Sequence, residues 1–132
     1  MNNKKKRDDS ILDAFSKKKI FITTGTIDFR VGIDMLSARS TSINQEEFFN
    51  GALFVYCSKA RNQIRMLFWE GCGVWMLTRK INKSKFFWPN KNSNSEDVLA
   101  CYEDLKALLS DPISWDVISS ERVAKKLSTK GK

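Results

Sequence analysis

Three strand-like segments follow one another closely in the middle of the chain, and they limit the possible folds more than any other feature. Residues 52–57 (ALFVYC) are almost entirely apolar, as expected of a central strand. Residues 63–69 (QIRMLFW) and 74–81 (VWMLTRKI) flank the sequence EGCG at 70–73. Glycine accepts the positive φ that hairpin turns require, so these segments predict an antiparallel meander.

Further elements are expected on both sides of this meander. Residues 20–24 (IFITT) are typical of a strand, and 85–88 predict another that ends before Pro89. One helix is expected from an N-cap at Asp28 to about Arg39, and a second after the capping-box spacing at 93–96. The apolar spacing of the second helix includes Val98, Tyr102, Leu105 and Leu109. The fold class expected is α+β, with a meander of four to five strands packed by two helices on one face.

The length of 132 residues suits a single domain. We expect a globular domain over 19–116, a basic and disordered tail over 1–18, and a second basic tail over 117–132. No apolar run approaches the roughly 18 residues that cross a bilayer, and the N-terminus lacks the apolar core of a secretory signal. A cytoplasmic protein without a membrane partner is therefore expected.

The residue inventory argues against most catalytic chemistry. The chain has no histidine, and its three cysteines form no C-x-x-C pair. Histidine-based acid–base catalysis and zinc sites of the usual kind are thereby disfavoured, so we expect no enzyme activity, catalytic residue, metal or cofactor. A magnesium-dependent nuclease using Asp28 or Glu70 remains an alternative, although the sequence contains no clear carboxylate cluster.

Positive charge and aromatic residues are concentrated in residues 59–91. The net charge of the chain is +8, and this segment holds eight basic residues against one acid, together with three of the four tryptophans. Such interleaving is typical of surfaces that bind phosphates and stack bases. The predicted DNA-contacting residues are Arg65, Arg79, Lys80, Lys83, Lys85, Trp69, Trp75 and Trp88. The alternative is that the tryptophans lie in the core while the arginines extend to its rim.

The register of the hairpin decides whether these side chains share a face. If Trp69 pairs with Trp75, Arg65 meets Arg79 on one side of the sheet. A shift by one residue places the two arginines on opposite sides. The sequence leaves both registers open, and the DNA-binding hypothesis depends on the first.

The ordered segments TTGTIDFRVGID, GALFVY, IRMLFWEGCGVW and RKINKSKFFWP resemble the TnpB-type accessory proteins of the IS66 family of bacterial insertion sequences. The resemblance covers about residues 19–116. The family-motif residues outside the DNA-contacting set are Asp28, Arg30, Gly32, Gly71, Gly73, Phe86 and Pro89. This chain departs from the family pattern where Val31 replaces a usual lysine and Glu70 a usual aspartate.

The resemblance implies a non-enzymatic role in transposition, with the transposase of the same element as a partner. Together with the basic-aromatic segment, it predicts binding to the DNA of the element ends with low sequence specificity. The alternative is an adaptor that binds the transposase or another protein without recognising DNA. The sequence does not determine the oligomeric state.

Overall fold

The sheet and two helices are seen in a computed structural model that describes residues 11–82, 85–89 and 97–109. A short 3-10 helix, Ile11–Phe15, precedes the first strand. The strands are β1 (Ile20–Thr23), β2 (Leu53–Cys57), β3 (Gln63–Glu70), β4 (Gly73–Lys80) and β5 (Asp97–Ala100). The helices are α1 (Ile33–Phe49) and α2 (Tyr102–Leu109). In the described part of the chain, neither helix is both long and apolar enough to cross a membrane.

The five strands form one sheet in the order β4-β3-β2-β1-β5. The hairpin neighbours β2, β3 and β4 pair antiparallel, as the meander prediction requires. β1 lies parallel to β2, because α1 intervenes between them, and β5 closes the other edge antiparallel to β1. The α+β class with a mostly antiparallel sheet is thus confirmed.

The helices cover opposite faces of the sheet, and the expectation that they share one face is wrong in this respect. On one side Leu53 and Val55 pack in a cluster with Leu105 of α2. On the other side Phe54 packs in a cluster with Leu36 of α1. Every residue of β2 is buried, so alternate side chains of this central strand must each find a helix to cover them. A strand buried on both faces needs a layer on each side.

Helix α1 begins later and extends further than expected. Asp28 is not its N-cap, because the helix starts at Ile33 after Gly32. The helix continues well beyond Arg39, to Phe49, after a kink at Asn44, where φ is −159° and ψ is 96°. There the Asn44 Oδ1 accepts the backbone N–H of Glu47 at 3.1 Å. Asn44 therefore caps the second part of the helix.

The segments after β4 also differ from expectation. Residues 85–88 form no strand, although Phe86 and Trp88 are buried as alternate strand residues would be. The Phe86 N–H donates to the Arg61 carbonyl at 2.6 Å, and the Pro89 carbonyl accepts the Gly25 N–H at 2.8 Å. These two hydrogen bonds join the 85–89 segment to loop residues, so the segment does not pair with a strand of the sheet.

The second predicted helix starts later than expected. Residues 97–100 form β5, since the open edge of β1 offers backbone partners that outweigh the helical spacing at Val98. Helix α2 begins at Tyr102 and buries Leu105 and Leu109 as expected. The capping-box residues 93–96 lie outside the described residues.

Candidate nucleic-acid interface

The hairpin between β3 and β4 adopts the register that separates the two arginines. Trp75 pairs with Phe68 rather than with Trp69, and Arg79 pairs with Ile64 rather than with Arg65. Because paired residues point to the same side, Arg65 faces α1 while Arg79 faces α2. The expected single cationic face of the sheet is therefore wrong for this pair.

Arg65 is engaged within the fold beside α1. Its guanidinium carbon lies 4.5 Å from the ring centroid of Phe29, and its Nη1 donates to the Val31 carbonyl at 3.0 Å. A guanidinium that stacks on a ring and donates to a main-chain carbonyl holds the loop before α1 against the sheet. Arg65 is thus a structural residue at the rim of the core, as the alternative interpretation proposed.

Arg79 is also engaged, on the other face. Its Nη1 donates to the carbonyl of Leu109 at 2.9 Å. Leu109 is the last residue of α2, where unpaired carbonyls and the helix dipole both favour a cation. The side chain remains exposed, but its charge is directed at the end of this helix.

The three tryptophans have three different environments. Trp88 is 2% exposed, and its Nε1 donates to the Thr23 carbonyl at 2.8 Å, so its assignment to base stacking is wrong. Trp69 is half-buried, with its ring 5.0 Å from that of Phe49 in an edge-on contact. Trp75 is 56% exposed. Only Trp75 of the three presents most of its ring to solvent.

The family-motif residues Asp28 and Arg30 form an exposed ion pair. Arg30 Nη2 lies 2.5 Å from Asp28 Oδ2, and its Nε donates to both carboxylate oxygens at 2.9 and 3.1 Å. The Arg30 side chain and its backbone N–H hold the pKa of Asp28 at about 2, with a smaller contribution from the charge of Lys59. The pair closes the turn before α1.

The other family-motif residues have local structural roles. Gly32 is the N-cap residue of α1, and Gly71 has a φ of +65° in the turn that Gly73 completes. Phe86 is buried in the core beside α2, and Pro89 accepts the hydrogen bond from Gly25. These positions explain why such residue types suit the motif, and none of them requires a ligand.

Four exposed cations meet at one end of the sheet, which we call the basic end. They are Lys59, Arg61, Lys80 and Lys85. Lys80 ends β4, where it pairs with Gln63, and the Ile81 N–H donates to the Asn62 carbonyl at 2.9 Å. The bond from Phe86 N–H to the Arg61 carbonyl brings the 85–89 segment to the same place.

The cations of the basic end form no ion pair with the acids that the structure describes. Within residues 11–82, 85–89 and 97–109, no carboxylate lies within 4.0 Å of these four cations. Two acids in this part of the chain are already matched, Asp28 with Arg30 and Glu47 with Lys19 at 2.6 Å. The basic end is therefore a concentration of unpaired positive charge among the described residues.

Sequence reasoning missed three residues here. Lys59 and Arg61 lie in the basic segment, but they belong to the loop after β2, and the predicted contacts were chosen mainly from strands. Phe87 is 40% exposed between the buried Phe86 and Trp88, so period-two alternation over FFW would have identified it. Lys83, which was predicted, lies outside the described residues.

An open groove lies along the first half of α1 and the segment before it. It has a volume of about 370 Å³ and is lined mainly by apolar atoms, including those of Ile27, Val31 and the 62% exposed Met35. Arg39 also lines it, and the Arg39 Nε has no hydrogen-bond partner within the described chain. We call this feature the α1 groove.

The carboxylates considered for a nuclease are separate and occupied. Asp28 is held by Arg30, and Glu70 accepts the indole N–H of Trp75 at 2.8 Å. Among the described residues, no group of three or more His, Cys, Asp or Glu side chains is arranged to hold a metal ion. The geometry at these positions does not support metal-dependent cleavage.

Comparison with known proteins gives two similar proteins and a family. Two proteins of Sinorhizobium fredii are similar to this chain, and both are described as uncharacterised. The protein y4jC is 30% identical over 71 residues, which cover 54% of this chain and 61% of y4jC. The protein y4hO is 25% identical over 72 residues, which cover 54% of this chain and 63% of y4hO. The alignments thus span less than two thirds of these relatives, and no solved structure matches the chain.

The family match covers much more of the chain than those pairwise alignments. The sequence model of the family described as "IS66 Orf2 like protein" matches residues 18–119, which include every described strand and both helices. The chain therefore belongs to the IS66 Orf2-like family, whose members are accessory proteins of insertion sequences.

Proposed function

We propose that this protein supports transposition by binding the DNA of its insertion sequence through the basic end. The observation that carries the proposal is the convergence of Lys59, Arg61, Lys80 and Lys85, with no described carboxylate within 4.0 Å of them. Unpaired, exposed cations at one site attract a phosphate backbone and release its counterions. The basic end replaces the broad sheet face expected from the sequence.

The contacts expected are mainly with phosphates. Lysines of strand ends and loops reach a backbone as flexible point charges, which carry little sequence information. The two described helices lie on opposite faces of the sheet, so they do not form a helix-turn-helix. Phe87, which is exposed beside Lys85, adds a candidate for stacking on an unpaired base. Binding with low sequence specificity is therefore expected.

The test is the salt dependence of DNA binding by the doubly substituted protein Lys59→Gln/Lys80→Gln. The slope of log K against log salt is negative, and each lost phosphate contact reduces its magnitude by about 0.9. The two substitutions should therefore reduce the magnitude of the slope by about 2. Fluorescence anisotropy with a short labelled duplex measures it. Both side chains are exposed, so stability should change little.

The matched control is Lys17→Gln/Lys106→Gln, which removes the same charge from exposed lysines outside the basic end. Its slope should change by less than about 0.5, because a distant charge is screened over roughly 8–10 Å. Equal losses in the two variants would mean that DNA responds only to net charge. An unchanged slope in both would assign binding to other basic residues, including those near the termini.

The α1 groove supports a second candidate, an adaptor that binds the transposase. An exposed apolar groove with an arginine in its lining, whose guanidinium lies over the Tyr56 ring, fits a protein segment with apolar side chains and a carboxylate. Met35→Lys should abolish co-purification with the transposase and leave the DNA salt slope unchanged. Ile11→Lys is the control, since Ile11 is 64% exposed but lies outside the groove. If both variants retain the transposase, the groove is not its docking site.

A further inference from the structure

The edge of the sheet at β4 is long and apolar, and it pairs with no other strand among the residues that the structure describes. β4 runs for eight residues, and its sequence GVWMLTRK includes four consecutive apolar residues. β3 pairs with one side of it along the whole length, and β4 ends the strand order. Such an edge exposes a row of backbone donors and acceptors that readily pair with another strand.

The hairpin turn determines which residues of β4 direct these groups outward. Gly71 has a positive φ and Cys72 does not, which is the pattern of a type II′ turn closed by a hydrogen-bonded pair, Glu70 and Gly73. Hydrogen-bonded pairs then alternate, and the bond from Ile81 N–H to the Asn62 carbonyl agrees with this alternation. The outward-facing residues are Val74, Met76, Thr78 and Lys80.

We propose that β4 pairs antiparallel with β4 of a second copy of this chain, joining two sheets into one. A two-fold axis perpendicular to the sheet places equivalent faces of the two sheets on the same side. Odd-numbered residues of β4 must therefore pair with odd-numbered residues of the partner, and even-numbered with even-numbered. Centring the axis on Leu77 pairs Val74 with the partner's Lys80 and Met76 with the partner's Thr78. All four outward residues of each strand are then used, in four hydrogen-bonded pairs.

The side chains of this register are complementary. Trp75 lies opposite the partner's Arg79, and Leu77 lies opposite the partner's Leu77, in the closely spaced class of antiparallel pairs. Trp75 is 56% exposed and already rests at 6.4 Å on Phe68, so its free ring face is available for a guanidinium. Arg79 donates to Leu109 through Nη1, but a guanidinium can donate in its plane and stack by its face.

Charge favours a second copy over an arbitrary strand. In this register each of the two cations at the end of β4 meets an uncharged residue, Trp75 or Val74. The two Arg79 side chains are separated by four residues along the strand, about 13 Å. An axis centred on Met76 would satisfy only three hydrogen-bonded pairs and would place Lys80 beyond the start of the partner's β4.

Disulfide trapping tests both the pairing and its register. Leu77→Cys is introduced after Cys72 and Cys101, which are exposed, are changed to Ser, while the buried Cys57 is retained. Opposed residues of a closely spaced pair have Cα atoms about 4.5 Å apart, within the range that a disulfide spans. Mild oxidation should give a covalent dimer with Leu77→Cys but not with Met76→Cys in the same background. Dimers from Met76→Cys alone would overturn the register, and no dimer from either would overturn the pairing.

Sedimentation of the protein without DNA tests the interface independently of the proposed function. The unmodified chain should dimerise. Thr78→Pro, which removes an outward N–H, should give monomers, while Thr78→Ala should not. Trp75→Arg should raise the dimer dissociation constant at least tenfold, because two cross-strand pairs become repulsive at once. Adding Arg79→Glu should restore association. A monomeric unmodified protein, or a dimer indifferent to Thr78→Pro and Trp75→Arg, would refute the proposal.

Discussion

Replacing Trp88 with phenylalanine should destabilise the fold considerably. The indole is 2% exposed, and its Nε1–H donates to the Thr23 carbonyl at 2.8 Å. Removing the donor of a buried hydrogen bond costs about 1–3 kcal/mol, because the acceptor, here the Thr23 carbonyl, stays buried without a hydrogen-bond partner. The smaller ring also leaves a void, which adds about 1 kcal/mol. The free energy of unfolding should therefore fall by about 2–4 kcal/mol.

Urea denaturation followed by circular dichroism measures this change without depending on indole fluorescence. Trp75→Phe is the matched control, since Trp75 is 56% exposed in the single chain, its indole N–H is bonded only to an exposed carboxylate, and phenylalanine keeps the ring face that the proposed dimer uses. An exposed substitution of this kind should change the free energy of unfolding by less than about 0.5 kcal/mol. The difference between the two variants separates burial from the chemistry of the substitution.

The same variant distinguishes a core tryptophan from one that stacks on bases. At a temperature where it remains folded, Trp88→Phe should bind DNA with an unchanged affinity and salt slope. A loss of stability below about 1 kcal/mol, combined with clearly weaker DNA binding, would refute this assignment. It would mean that the ring reaches the ligand, contrary to its position beneath β1.

Three further expectations follow from individual contacts. Gly71→Ala should lower the free energy of unfolding by about 1–2 kcal/mol in urea because φ is +65°, whereas Gly73→Ala, which has no positive φ, should cost less than 0.5 kcal/mol. The Asp28 carboxyl should titrate by NMR near pH 2 and move toward 3.8 in Arg30→Gln. Since its folded pKa is the lower one, its contribution to stability is present above about pH 4 and lost as the pH falls toward 2. Burial raises the pKa of Cys57 to about 12, so mass spectrometry at pH 8 should find alkylation there only after unfolding, unlike at the two exposed cysteines.

The strands that carry strong local patterns were predictable from the sequence. β2 is an unbroken apolar run, and the EGCG turn has glycine where a tight hairpin needs it. The segment before α1 was not predictable, because Asp28 has the residue type of an N-cap but is held by Arg30 two residues later. Local pairing of this kind competes with capping, and residue type does not reveal which contact is formed. β5 was missed for a different reason, since its backbone partner, β1, lies more than 70 residues earlier.

Whether the cations share one face depends on the register of the β3–β4 hairpin, and a shift of one residue changes the answer. The sequence therefore identified the basic residues but not their arrangement. Basic and aromatic composition identified residues 59–91, but a shift of one residue reverses the face of every side chain on β4. The two-residue turn at Gly71 and Cys72 pairs Glu70 with Gly73, and so places Arg65 and Arg79 on opposite sides. Cations on one broad face would repel one another across the hairpin. In the observed register two arginines are engaged in the fold, and the remaining charge of the described segment gathers where the loops meet, at the basic end.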